Sequence, residues 1–425
     1  MKYSVVTFGC RVNQADSLGF EEELLRGGAV AAPVEEADLV VVNTCSVTAS
    51  ADQGARQTIR RIARSNPHAR IVVTGCYATR EPAAVAALPN VIRVVPNDDK
   101  PRMVSLVRSV RLQPDVETST AERFGDGEGS CGGHIEPGIA GRTAFTLRVQ
   151  TGCAEQCSYC IIPSTRGRPR SVPLDDVLNE VARVAAAGFK EVALTGVHLG
   201  SYGRDLTPPS SLFELLAALS RFGSDILFRV SSLEPMDCSR RIVDLVASTV
   251  SFAPHFHLPL QHASDRMLLA MGRPYTISYY SELVDYVRHR VPAASIGSDV
   301  IVGFPSETDS DFDELASYLE RSPLTHVHVF PYSDRPGTRA AQMDGAVPGQ
   351  VVRARARQVR QISQLLTERF HRSQVGTVHQ GLTLEDGTLV VTGNYLKLRI
   401  AAGRRRNEWV RVRVTSDHDG ELLPG

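Results

Sequence analysis

The chain has 425 residues, 42% hydrophobic and 22% charged, with 47 Lys+Arg against 47 Asp+Glu, the make-up of a soluble globular protein of two to four domains. No apolar run approaches the ~20 residues needed to cross a bilayer, and MKYSVVTFGC lacks the apolar core and cleavage site of a secretory leader. A cytoplasmic protein with no membrane partner is expected, and there its eight cysteines are expected as metal ligands, catalytic thiols or packing residues and not as disulfides.

The first stretch alternates strand and helix patterns. YSVVTF (3–8), DLVVVNT (38–44), ARIVVTG (69–75) and NVIRVVP (90–96) are short runs rich in Val and Ile, with helical patterning over 17–28, 50–66 and 81–89 between them. Strands without polar alternation are buried on both faces, so residues 1–111 are expected as an α/β domain with a parallel sheet. Cys10, Cys45 and Cys76 each come directly after one of these runs, in VVTFGC, VVVNTC and VVTGC. The C-terminal ends of parallel strands share one edge, where open α/β sheets bind ligands, so the three thiols are expected to converge there. Gly9 and Gly75 would let the chain turn tightly beside them, and Asn13 and Asn43 flank the spot. Three thiolates leave one iron of a [4Fe-4S] cubane open; the alternative is three buried apolar cysteines.

Residues 112–141, including GDGEGSCGGHIEPGIAG, read as a linker, with Cys131 a bystander thiol. From 142 to 365 the alternation resumes, with strands expected at 144–150, 191–197, 226–232, 255–260, 295–304 and 325–332. Six βα units fit a parallel barrel, and the order of elements alone leaves an open six-stranded form and a closed eight-stranded form both standing. TGCAEQCSYC (151–160) follows the first of these strands, at the end where barrel enzymes place their chemistry. Cys153, Cys157 and Cys160 can wrap one face of a cubane; zinc would ask for a fourth ligand, and the next candidate, His198, is 38 positions on. His255, His257, His262, His326 and His328 alternate along strands, which reads as a pore-facing row for packing or substrate contact ahead of a further metal.

Residues 366–425 lose the helical pattern and read as a small all-β module. Between Arg353 and Arg413 there are 13 Lys/Arg against 4 Asp/Glu, a basic end on a neutral chain that points to nucleic acid. Lys397, Arg399, Arg404, Arg405 and Arg406 are expected to meet phosphates, with Arg166 and Arg168 of TRGRPRS as further RNA or substrate contacts. Tyr395 is a candidate base-stacking residue, and Trp409 is either that or core packing.

The CxxxCxxC loop resembles that of the radical S-adenosylmethionine (SAM) enzymes, Tyr159 before the last cysteine included. The resemblance implies that the open iron chelates SAM. It also implies that Thr195 and Gly196, Ser231, Ser232 and Glu234 of RVSSLEP, and Asp299 of GSDVIVGFP belong to the cofactor site. End to end, the chain is similar to the methylthiotransferases. TFGCRVNQADS, LTGVHLGSYG and HVFPYSDRPGTRAAQM are most like the branch acting on threonylcarbamoyladenosine in tRNA. That implies a partial (β/α)6 radical-SAM barrel, a C-terminal TRAM module, two [4Fe-4S] clusters, SAM, the tRNA anticodon stem-loop as partner, an electron donor protein and a sulfur donor. Isopentenyladenosine tRNA, or a ribosomal-protein aspartate, is the alternative substrate, and an RNA-binding iron–sulfur sensor the alternative from another class.

Overall fold

The computed structural model describes residues 1–109, 137, 142–223 and 225–424. Cys131 and all of the expected linker but residue 137 lie outside these residues. The N-terminal sheet is wholly parallel. It contains β1 (Lys2–Thr7), β2 (Val30–Ala31), β3 (Leu39–Thr44), β4 (Arg70–Gly75) and β5 (Val91–Val95), in the order β2-β1-β3-β4-β5. All six residues of β3 are buried because alternate side chains enter two cores. Val40 and Val42 pack with Ile59, Ile62, Ile71 and Val73 on one face, and Leu39 and Val41 with Phe20, Leu24, Val72 and Met103 on the other.

The first helix runs Arg11–Arg26, starting directly after Cys10 and not at residue 17. Its first turns carry Asn13, Asp16 and Ser17 toward the interior, so buried polar residues interrupt the apolar period by which a helix is read. The helix expected over 81–89 is Pro82–Ala86, and a further short helix, Cys76–Arg80, precedes it, the break falling where Pro82 enters at the first helical turn.

The middle of the chain supplies β6 (Phe145–Arg148), β7 (Gln150–Thr151), β8 (Arg170–Ser171), β9 (Glu191–Thr195), β10 (Leu227–Val230), β11 (His255–His257), β12 (Ser295–Val302) and β13 (His326–Pro331). Two parallel sheets, β10-β9-β6 and β11-β12-β13, are joined by parallel bridges at Phe228↔Phe252 and Ser232↔His257. Among the described residues β13 does not pair with β6, so the six strands form an open barrel and not a closed one. Val192, Phe228, Phe256, Val300 and Val327 face the surrounding helices in one large core. Their strand neighbours Glu191, Arg229, His255, His257, Asp299, His326 and His328 therefore face the lumen. The short β7–β8 ribbon is antiparallel and braces the base of the cysteine loop.

The last sheet is antiparallel, with β14 (Val378–Leu384), β15 (Leu389–Thr392), β16 (Lys397–Arg399), β17 (Trp409–Val414) and β18 (Gly420–Leu422) in the order β16-β15-β14-β17-β18. The helix before it runs Gly349–Gln374, past the boundary expected at 366. Its last turns are polar enough to hide the helix, yet Phe370 reaches the core of the β module beside Val390, Leu398 and Val412.

Candidate active site

Register brings the first three thiols together. Thr7 stands opposite Asn43 and Thr44 opposite Gly75, so the chain leaves β1, β3 and β4 at one edge, just before Cys10, Cys45 and Cys76. Gly9 (φ +85°) makes the approach possible, because a Cβ there would lie 2.5 Å from Cys45 Cβ and 2.6 Å from its Sγ. Asn13 donates through Nδ2 to the carbonyls of Phe8 (2.8 Å) and Thr44 (2.9 Å), tying two of the three cysteine turns. Asn43 donates in return to Asn13 O at 2.9 Å. Burial pushes the Cys45 thiol up to about 11, with the neighbouring Cys10 and Cys76 adding like-charge repulsion. Gly9→Ala is expected to lower bound iron from about eight to about four atoms per chain while SAM cleavage persists; iron and sulfide quantitation on anaerobic protein checks this.

The second thiol triad sits in the loop after β7. Gly152 (φ +76°) passes so close to the 167–168 backbone that a Cβ would meet Arg168 O at 2.0 Å. The amides of Glu155 and Ile162 donate to Cys153 Sγ (3.4 Å) and Cys160 Sγ (3.5 Å). Arg273 donates to Cys157 Sγ at 3.2 Å and is ion-paired with Glu234. Burial opposes the charge on His198, but Asp237 at 2.7 Å and the adjoining Cys153 outweigh it and raise the imidazole to about 10. Burial pushes Cys160 up to about 12 beside Cys157 and Cys153.

The thiol spacing tests what these residues could hold. Among the described residues the one group of three potential ligand atoms within 4.8 Å of one another is His257, His326 and His328, so neither cysteine triad is so contracted. Thiolates around a single zinc at about 2.3 Å would stand about 3.8 Å apart. Triads wider than that suit a cubane face, where each thiolate takes its own iron.

The other expected cofactor residues are on the loop itself, on the barrel strands or just after them. Tyr159 packs with Met267, Met271, Ile301 and Phe304. Thr195 ends β9, and a Cβ on Gly196 would press on Gln150 at 3.0 Å. Ser231 Oγ is buried without a partner among the described residues, and Ser232 bridges to His257. Asp299 stands among the lumen histidines, 3.1 Å from His257 Nε2. Cys238, which the sequence reading left unassigned, is a core residue.

Two connections between the triads had no signature in the sequence. The helix Ile162–Arg166 starts directly after Cys160 and meets the other site through Asn97, whose Nδ2 lies 2.7 Å from Thr165 O and 3.7 Å from Cys76 Sγ. The segment 333–340 spans the same gap. Arg335, 3% exposed, donates to Asp52 (2.9 Å) and to Ser46 O (2.7 Å) beside Cys45. Ala340 N donates to Ser158 O at 2.8 Å, between Cys157 and Cys160.

Arg166, expected as an RNA or substrate contact, is deeply buried. It is 3% exposed and donates to Asn13, so it lies inside the domain junction. There Asp16 gathers Lys100 (2.7 Å), Arg148 (2.8 Å) and Arg166 (3.5 Å). A cavity of about 390 Å³ opens beside this cluster, and none of the six cysteines lines it. Arg168, Lys397, Arg399, Arg404 and Arg405 are exposed and Arg406 is half-buried; Arg399 pairs with Asp419 at 2.9 Å. Trp409 is on the outer face of β17 and its Nε1 donates to Asp225 O at 3.3 Å, a contact between module and barrel and not core packing. Tyr395 is no open stacking platform: it lies under the Arg229 guanidinium (3.9 Å), edge-on to His255 (4.6 Å), and accepts from Arg11.

Residues 2–96 match the Uncharacterized protein family UPF0004, and residues 147–319 match the Radical SAM superfamily. The Threonylcarbamoyladenosine tRNA methylthiotransferase MtaB of Aquifex aeolicus is 35% identical over 97% of this chain and 100% of its own length. That of Thermotoga maritima is 34% identical over 97% and 94%. A tRNA-2-methylthio-N(6)-dimethylallyladenosine synthase of Paraburkholderia phytofirmans is 33% identical over 89% and 84%. Among solved structures, the radical S-adenosylmethionine methyltransferase TsrM of Kitasatospora setae shares the fold, with TM-score 0.55 and 16% identity over 77% of this chain and 72% of that one. Among the described residues no helix is long and apolar enough to cross a membrane.

Proposed function

Because the chain belongs to the radical SAM methylthiotransferases, enzymes that modify tRNA, we propose that it acts on N6-threonylcarbamoyladenosine next to the anticodon. The product is 2-methylthio-N6-threonylcarbamoyladenosine. The observation that carries this reading is the near full-length likeness to relatives of that name, which spans both thiol triads. When bound, two [4Fe-4S] clusters and SAM supply the sulfur, the methyl group and the hydrogen-abstracting radical.

The chain's own contribution is placement. Cys153, Cys157 and Cys160 would hold the SAM-binding cluster, with Arg273 fixing Cys157 and Asp237 orienting His198 near Cys153. Tyr159, Thr195, Gly196, Ser231, Ser232 and Glu234 would surround SAM. Cys10, Cys45 and Cys76 would hold the second cluster, and Arg335 and Asn97 keep the two triads in fixed relation. The target adenine must leave its stack to reach them. Arg168, Lys397, Arg399, Arg404, Arg405 and Arg406 would grip the phosphates of the anticodon stem-loop. An electron donor protein and a sulfur donor complete the partners, and the cytoplasm, where tRNA and reduced thiols coexist, is the compartment. The division between barrel and RNA module falls at Gln374, where the long helix ends.

Nucleoside mass spectrometry on tRNA from a deletion strain tests the substrate. The expected result is loss of the methylthiolated threonylcarbamoyl nucleoside, accumulation of its unthiolated precursor and unchanged methylthio-isopentenyladenosine. Loss of the isopentenyl product instead would move the chain to the other branch.

A further inference from the structure

The lumen histidines were expected to be packing or substrate-contact residues. Their register suggests something more specific. Along adjacent parallel strands, His257 is opposite Gly297, Gly297 is opposite His326, and Asp299 is opposite His328. All five positions alternate with residues buried against the outer helices, so they form one patch on the inner wall. One nitrogen from each of the three imidazoles lies within 4.8 Å of the others.

Two of the rings have a second partner on one nitrogen. His257 Nε2 is 3.1 Å from Asp299 Oδ1, and His326 Nδ1 is 3.0 Å from Thr325 Oγ1. His257 Nδ1 and His326 Nε2 instead face the space above Gly297, where a Cβ would stand 2.9 Å and 2.3 Å from them. A missing side chain thus makes room for two imidazole nitrogens. An outer carboxylate or hydroxyl on the far nitrogen is the arrangement that fixes ring tautomer and orientation in metal-binding histidines. His262, by contrast, is fully engaged with Glu307 (3.2 Å) and the Ser264 amide (3.0 Å) and takes no part.

We infer that His257, His326 and His328 form a binding site for one divalent transition-metal ion, with Asp299 and Thr325 as its outer partners. Three imidazoles suit zinc and its first-row neighbours, at metal–nitrogen distances of about 2.0–2.1 Å. Small ring rotations bring three nitrogens from the observed spread onto one ion. The site shares no ligand with either thiol triad.

The experiment adds zinc alone to the cluster-loaded full-length chain, removes free metal by gel filtration, and measures metal content together with zinc-edge X-ray absorption. The expected result is about one zinc per chain with only nitrogen and oxygen neighbours near 2.0 Å, and unchanged iron. In His326→Ala/His328→Ala, zinc is expected to vanish while iron stays at about eight atoms. Gly297→Ala removes no ligand but fills the space between two of them, and is expected to weaken zinc binding about tenfold or more. No retained zinc in the wild type, zinc with sulfur neighbours near 2.3 Å, or zinc retained by the double histidine variant would each overturn the assignment. The wild-type spectrum decides even if a variant fails to fold.

Discussion

Replacing Cys10, Cys45 and Cys76 together with alanine is expected to halve bound iron, from about eight to about four atoms per chain, to leave reductive SAM cleavage intact and to abolish methylthiolated product. The separation of effects follows from the layout. These thiols stand at the C-terminal edge of the N-terminal sheet, whereas Cys153, Cys157 and Cys160 are held by the barrel through Arg273, Gly152 and Ala340. Iron assay, 5′-deoxyadenosine release and nucleoside mass spectrometry read the three outcomes separately. An RNA-binding sensor would give no 5′-deoxyadenosine even in the unaltered chain. Retention of all the iron in the triple variant would mean that the first three cysteines hold no cluster.

Asp16→Asn should cost about 3–5 kcal/mol, the usual penalty for removing one partner of a buried charge group. Lys100 and Arg166, 6% and 3% exposed, would be left side by side with no carboxylate between them. Burial acts to raise the Asp16 pKa, but Lys100, Arg148 and Arg166 together hold it well below the usual carboxylate range. A depressed folded pKa contributes stability that is fully present above the unfolded value of about 4 and is lost as pH falls from there toward the folded pKa. The wild type should therefore lose stability below about pH 4 more steeply than Asp16→Asn does. Urea unfolding at neutral and acid pH measures both effects, and equal acid sensitivity of the two proteins would show that Asp16 is not the group responsible.

Much of the site was legible because thiols carry their own signature. Cys10, Cys45 and Cys76 each follow a strand, and parallel strands share an edge, so local pattern plus one topological rule brings distant residues together. Arg166 and Arg335 had no such marker. A charged side chain in a loop is read as a surface group, and only tertiary pairing with Asp16 or Asp52 puts it inside. Arg273 was missed for the same reason, its partners Cys157 and Glu234 being remote in sequence. The alternation of His326 and His328 was visible, but their meeting with His257 depends on the β12 register that puts Gly297 between them. Trp409 alternates correctly with Val410 and Val412, yet on the face turned away from its own module's core it meets the barrel, while Arg411 and Arg413 on the same face are exposed.

Tyr395 belongs to the C-terminal β module, yet it reaches Arg229 and His255 on the inner wall of the barrel and Arg11 beside Cys10. Gly393, two positions earlier, accepts from Arg229 at 2.6 Å. One phenol thus corks the end of the barrel where β9 and β11 begin. A chain trimmed at Gln374 would lose more than its last sheet, since solvent would leak in from below toward a reaction that has to stay dry.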